Sequence, residues 1–301
     1  MIFSIKSILI CFLFFTVSYG YGQVVTENKV NYLEFNSSKE LYDFFSYKKG
    51  NPPLISGHRG GMEAGYPENS IEAFEHVLKN TSAIFEIDPR MTKDSVVVLM
   101  HDASLERTTN GLGNLIELTW EDASKLFLKD VNGKLTSFKI PTLEEAISWS
   151  KDKTILNLDH KDVPLQVTAD LIKRLDAFDH VMITVHKPSE ARYYLDQHPG
   201  FMFSAFIRTV EEFEAYEEAK IPWTQIMAYV GSLSKAENKN LYDMLHSKGV
   251  KVMVSAAPSY DKMERGDTQD EAYRQVFLDG ADVLESDYPI RVAKAILHLD
   301  Q

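Results

Sequence analysis

The amino-acid sequence predicts an α/β chain closed into a (β/α)8 (TIM) barrel with a small insertion after its second strand. Beyond Asn51-Pro52-Pro53, short apolar or β-branched runs alternate with segments of helical period, the pattern of βαβ units and a parallel sheet. One run too many for such a barrel is present, and its spacing sets it apart from the others. The length of 301 residues, 44% hydrophobic and 25% charged, suits one large domain with a full core. The same composition excludes a disordered chain and a multi-span membrane protein.

The first 22 residues stand outside the barrel. Met1–Lys6 carries one positive charge, Ser7–Val17 is an apolar run, and small residues follow at Ser18, Gly20 and Gly22. That is the anatomy of a secretory signal peptide, cleaved after Gly20 or Gly22. The apolar run is close to half of the ~20 residues that a membrane span needs. The sole cysteine, Cys11, lies inside it, so the mature chain would have no disulfide, thiolate nucleophile or zinc–thiolate site. The expectation is a secreted or periplasmic protein with no stable membrane anchor in its mature form.

Residues 23–50 read as a polar N-terminal extension with one helix, Ser38–Tyr47, opened by a serine cap. Residues 51–301 carry the barrel. Its strands are expected at Leu54–Gly57, Ile84–Asp88, Thr154–Asp159, Val181–Val185, Met202–Phe206, Gln225–Val230, Val250–Ser255 and Ala281–Glu285. Helical period marks Ser70–Lys79, Leu143–Ser150, Val167–Leu175, Val210–Lys220, Glu237–Lys248 and Glu271–Leu278. The extra run, Val96–Met100, follows Ile84–Asp88 across a short turn at Lys93-Asp94, too short for a helical crossover. It belongs to an insertion over residues 90–140. Glu211, Glu212, Glu214, Glu217 and Glu218 read as a solvated acidic helix face.

Charge narrows the partners. Thirty-two Lys plus Arg against 44 Asp plus Glu leave a net charge of −12, which repels polyanions and excludes a dedicated nucleic-acid binder. A small phosphodiester is compatible, because a metal ion or an arginine reverses the field inside one pocket.

Barrels of this class act at the C-terminal ends of their strands. Those ends supply His58-Arg59-Gly60-Gly61, Glu86-Ile87-Asp88, His101-Asp102 and Asp159-His160-Lys161. Glu86 and Asp88 are two apart on one strand and share a face. With Asp159 they make an all-oxygen donor set, which suits Mg²⁺ or Ca²⁺ and not zinc. His58 and His101 are enough for general acid–base catalysis, and Arg59 and Lys161 for neutralising phosphoryl oxygens. A metal site, two histidines and two cations on one mouth describe phosphodiester cleavage.

The strings His58-Arg59-Gly60-Gly61, Pro67-Glu68-Asn69-Ser70, Glu86-Ile87-Asp88, His101-Asp102, Arg107-Thr108-Thr109 and Ser286-Asp287-Tyr288-Pro289 resemble the glycerophosphodiester phosphodiesterase family. The resemblance runs over residues 54–292 and implies a (β/α)8 barrel with an insertion after strand 2. It implies His58 and His101 as the acid–base pair, Arg59 as a phosphate contact, and Glu86 and Asp88 as metal ligands. It also implies Glu68 as a support for the metal shell or a substrate hydroxyl. The family usually has Glu-x-Lys where this chain has Asp159-His160-Lys161, one methylene shorter at the metal. The related spider sphingomyelinases D resemble that Asp-x-Lys arrangement but lack the other strings in this form. At strand 7 the family commonly has Trp-Thr-x-Asn; this chain has Met253-Val254-Ser255-Ala256-Ala257-Pro258 and then an extended polar loop, Ser259–Gln269. Phe203, Trp223, Tyr229 and Tyr260 are the candidates to replace the missing wall.

The function expected is metal-dependent hydrolysis of a glycerophosphodiester to glycerol 3-phosphate and an alcohol. Two readings compete with it. One is a phospholipase D-like lyase that uses Asp159 and Lys161 and releases a cyclic phosphate from a lysophospholipid. The other is a non-catalytic phosphodiester-binding barrel, whose signature would be a missing histidine or metal carboxylate; neither is missing.

Overall fold

A computed structural model describes residues 31–297 and 299. The expected signal peptide and the first part of the extension lie outside the described residues. Helix α1 (Ser38–Phe45) precedes β1 (Leu54–Gly57), α2 (Ile71–Leu78) and β2 (Ile84–Ile87). An excursion then contributes β3 (Pro89–Met91), β4 (Val97–Leu99), the short α3 (Trp120–Ala123), β5 (Phe127–Lys129) and β6 (Leu135–Lys139). After it come α4 (Leu143–Ser150), β7 (Leu156–Leu158), α5 (Leu165–Leu175), β8 (Val181–Val185), α6 (Pro188–Gln197) and β9 (Met202–Phe206). The chain ends with α7 (Val210–Glu218), β10 (Ile226–Tyr229), α8 (Lys239–Ser247), β11 (Lys251–Ser255), α9 (Asp267–Leu278), β12 (Val283–Ser286) and α10 (Pro289–Ile296).

Eight strands, β1, β2 and β7 to β12, close into a barrel in chain order, each parallel to its neighbours. The extra run pairs antiparallel with β3 and not with the barrel, and β5 and β6 form a second small hairpin. The helices begin where side chains can accept from their free backbone N–H groups. Ser70 accepts from Ala73, Thr209 from Glu212, and Thr142 forms a capping box with Glu145. Two helices escape a periodicity search. α6 opens on Pro188 and buries only Ala191 and Tyr194, too few apolar positions to mark a face, and α10 opens on Pro289. The polar loop expected over Ser259–Gln269 is shorter, since α9 already starts at Asp267 and Gln269 is buried.

Strand side chains alternate between two cores. Phe85, Ile87, Leu156, Leu158, Ile183 and Val185 face outward under the helices. The other set faces the barrel axis, and at its lower end Ile84, Met182, Met202, Met227, Met253 and Val283 form an apolar floor. Leu41 and Phe45 of α1, 0% and 1% exposed, seal that floor from below. The extension is therefore part of the core. Phe45→Ala should cost about 3–5 kcal/mol in denaturant unfolding, as a fully buried aromatic does. A loss below about 1 kcal/mol would show that α1 only rests on the barrel.

Candidate functional site

Climbing two residues at a time from the floor leads to the mouth. Ile84 is followed by Glu86 and Asp88, Ile155 by Asn157 and Asp159, Met253 by Ser255, and Val283 by Glu285 and Asp287. On β2, β7 and β12 the inward face thus climbs from an apolar floor to a carboxylate rim.

At the exit of β1 the backbone turns sharply, with φ of 53° at Arg59, 84° at Gly60 and 97° at Gly61. A Cβ at Gly60 would lie 2.2 Å from the Phe74 ring, so only glycine lets α2 approach this closely. The turn aims the Arg59 N–H at Glu86, 3.0 Å away, and sets His58 beside the last strand. His58 Nδ1 is 2.7 Å from Asp287 Oδ1. Burial pushes the His58 pKa down, but Asp287 and Glu285 more than offset it and the net shift is upward. For Asp287 burial pushes up, and His58 pulls the net value below the usual carboxylate range.

Glu86, Asp88 and Asp159 each offer an oxygen within 4.8 Å of the others. Asp88 is gripped by Asn69, whose amide donates to Oδ2 at 2.7 Å and whose carbonyl oxygen accepts the Asp88 N–H at 3.0 Å. Lys161 sits between Asp88, 2.9 Å away, and Asp159. It therefore partly neutralises the cluster and does not line the open cavity. Burial raises Asp88, but Lys161 and Asn69 bring it below its ordinary value. Glu86 is held well above its ordinary value by burial first, then by Asp88, Glu285 and Asp159. Three carboxylates this close together could hold a hard divalent cation.

The insertion delivers the second histidine. His101 Nδ1 lies 2.8 Å from Asp102, and Arg107 grips both Asp102 (2.6 and 3.0 Å) and Glu68 (2.7 and 2.8 Å). Arg59 reaches the same Glu68 at 3.1 Å. Glu68 is thus a bridge between two arginines, fastening the insertion to the β1 exit. Each of these two histidines has its Nδ1 engaged by a carboxylate, which leaves Nε2 as the proton-transfer nitrogen; that of His58 lies 4.0 Å from Glu86 Oε2.

His58, Arg59, Glu86, His101 and Asp159 line one cavity of about 660 Å³, the size of a small-molecule site. Its far wall is made by Phe206 and Tyr229, with ring centroids 4.5 Å apart, beside the small Ser255 and Ala257. Of the candidate aromatics only Tyr229 is there. Phe203 packs in the outer core, Trp223 stacks on Phe213, and the Tyr260 hydroxyl accepts the Ser234 N–H. Asp287, Arg107 and Asn69 lie within the motif strings but carry no role from them, and Glu285 and Lys262 lie outside those strings; all five are site residues. The two-residue step from Val283 would have found Glu285 and Asp287.

Residues 58–269 match the sequence profile of the Glycerophosphoryl diester phosphodiesterase family. The chain belongs to that family. It is similar to the crystal structure of a glycerophosphoryl diester phosphodiesterase from Parabacteroides distasonis, with 51% identity and a TM-score of 0.88 over 89% of this chain and 94% of that one. A phosphodiesterase from Oleispira antarctica, solved with sn-glycerol-3-phosphate, shares the fold: 17% identity, TM-score 0.62, covering 87% of this chain and 99% of that one. Glycerophosphodiester phosphodiesterase 1 of Bos taurus is 42% identical over 94 residues, 30% of this chain but only 28% of the bovine protein.

The Arg107 guanidinium holds the Asp102 carboxyl far below its usual range. A carboxyl whose folded pKa lies below its unfolded value of about 3.9 contributes stability above that pH and loses it as pH falls. Wild type should therefore exceed Arg107→Met in unfolding free energy at neutral pH, with the gap narrowing from about pH 5 towards pH 3. Urea midpoints across that range check this; a constant gap would show that Arg107 does not hold Asp102.

Proposed function

We propose that this family member is an exported, divalent-cation-dependent phosphodiesterase that hydrolyses glycerophosphodiesters to glycerol 3-phosphate and an alcohol. The observation that carries the reading is the pair of carboxylate-held histidines, His58–Asp287 and His101–Asp102, facing one cavity with the Glu86–Asp88–Asp159 cluster. Export rests on the sequence of residues 1–22; among the described residues no helix is long and apolar enough to cross a membrane.

In this reading Glu86, Asp88 and Asp159 would hold the cation, which would supply charge stabilisation to the phosphoryl oxygens. Arg59, at the cavity wall between Glu68 and Asp88, adds a fixed positive charge against the same oxygens. Nε2 of one histidine takes the proton of the attacking water, or of a vicinal hydroxyl whose cyclic phosphate product a water then opens, as the new P–O bond forms. Nε2 of the other gives a proton to the alkoxide as the old P–O bond breaks. Asp287 and Asp102 fix each ring through Nδ1, and Asp287 also favours the protonated form of His58. Lys161 tempers the repulsion among the metal carboxylates, and Glu68 keeps Arg59 and the His101 segment in register.

Protein stripped with EDTA should release no glycerol 3-phosphate from glycerophosphocholine or glycerophosphoethanolamine, and regain release when Ca²⁺ or Mg²⁺ is restored. Release unaffected by stripping would refute cation dependence, and an accumulating cyclic phosphate would favour the lyase reading. His58→Ala and His101→Ala should each lower kcat by roughly 10²–10⁴-fold with the fold retained. Near-wild-type turnover in both would end the acid–base assignment.

A further inference from the structure

Asp261 belongs to none of the strings that mark the family resemblance, and it does not line the cavity. It sits in the tight turn Tyr260–Lys262 that follows β11, and it is 5% exposed. Its carboxylate accepts from neutral donors of two other elements. The Tyr273 hydroxyl of α9 donates at 2.7 Å, the Ser286 hydroxyl lies 2.9 and 3.0 Å from its two oxygens, and the Asp287 backbone N–H donates at 2.6 Å. A buried carboxylate is a costly fastener, since its charge leaves water without a cation to replace it. Its two oxygens nevertheless do what one hydroxyl cannot: they seize Ser286 and the Asp287 N–H together and so fix the direction in which β12 ends.

That direction matters because Asp287 Oδ1 meets His58 Nδ1 at 2.7 Å. The next residue of the turn, Lys262, lies 3.5 Å from Asp287 Oδ2. The turn therefore holds Asp287 by its backbone through Asp261 and by its side chain through Lys262.

We propose that Asp261 is a positioning residue for the reaction: it sets the Asp287 carboxylate against His58 and so makes the turn after β11 part of the acid–base apparatus. This rests on the role of His58 given under Proposed function. The effect passes through geometry, and a misplacement of about 1 Å in such a contact can cost on the order of 10²-fold in rate.

The test is a double-mutant cycle in the full mature chain, with Asp261→Ala and Asp261→Asn made alone and in an Asp287→Asn background. Asp261→Ala should lower kcat roughly 10–100-fold with KM within about threefold. Asp261→Asn should recover most of the loss, because its amide oxygen still accepts the Asp287 N–H. In the Asp287→Asn background Asp261→Ala should cost little more, the non-additivity expected of residues acting through one contact. Equal losses in both backgrounds would overturn the proposal, as would wild-type kcat in a variant that merely melts earlier. Should Asp261→Ala not fold, Ser286→Ala carries the same cycle. A second readout does not need turnover: nitrogen-15 spectra of the His58 ring should show its Nδ1–H tautomer loosened in Asp261→Ala or Ser286→Ala. An unchanged His58 signature in both overturns the proposal even if no glycerophosphodiester is hydrolysed, an outcome that would count separately against the functional reading.

Discussion

The site depends on barrel closure forcing every second side chain of eight strands toward a common axis. A strand has no freedom to send only some of its residues inward, so the apolar floor and the charged rim are fixed together. Glu86, Asp159 and Glu285 converge because Ile84, Ile155 and Val283 are locked below them by packing. The electrostatic cost of gathering carboxylates is carried by the same apolar contacts that hold the strands in register. In this sense the core builds the carboxylate half of the site, while the β1 exit turn and the insertion bring the histidines.

Two groups of polar contacts then refine what the strands deliver. One runs from Arg59 through Glu68 and Arg107 to Asp102 and His101, and ties the insertion to the β1 exit. The other runs from Tyr273 through Asp261 and the end of β12 to His58. Each ends on Nδ1 of one histidine. Each histidine is thereby held through Nδ1 by its own carboxylate, Asp287 for His58 and Asp102 for His101, although both groups of contacts meet at the β1 exit turn through His58 and Arg59.

Much of this was legible in the sequence. The strand–helix alternation gave the barrel, and the short link after Ile84–Asp88 separated the insertion from it. His58, His101, Glu86, Asp88 and Asp159 stood at strand ends and do meet in one place. What escaped was of two kinds. Helix α6 buries only Ala191 and Tyr194, so period alone does not announce it, whereas α10, with Ile290, Val292 and Ala295 buried, is short and opens on a proline. Partnerships such as Asp287 with His58 join residues at opposite ends of the barrel domain, and only the closure of β1 against β12 makes them neighbours. The missing strand-7 tryptophan was visible, but its replacement by Phe206 and Tyr229 required knowing which of two strand faces each ring occupies.

Helix α1 closes the lower end of the barrel with Leu41 and Phe45, yet its contact surface is assembled from residues as distant as Met253 and Val283. The segment made early in synthesis has no docking surface until nearly the last strand exists. Contacts of such sequence separation make folding slow. Until that surface is complete, an amphipathic helix and an open ring of methionines are both exposed to capture by other molecules. The stretch that stabilises the finished barrel is thus the one that leaves the nascent chain in need of protection for longest.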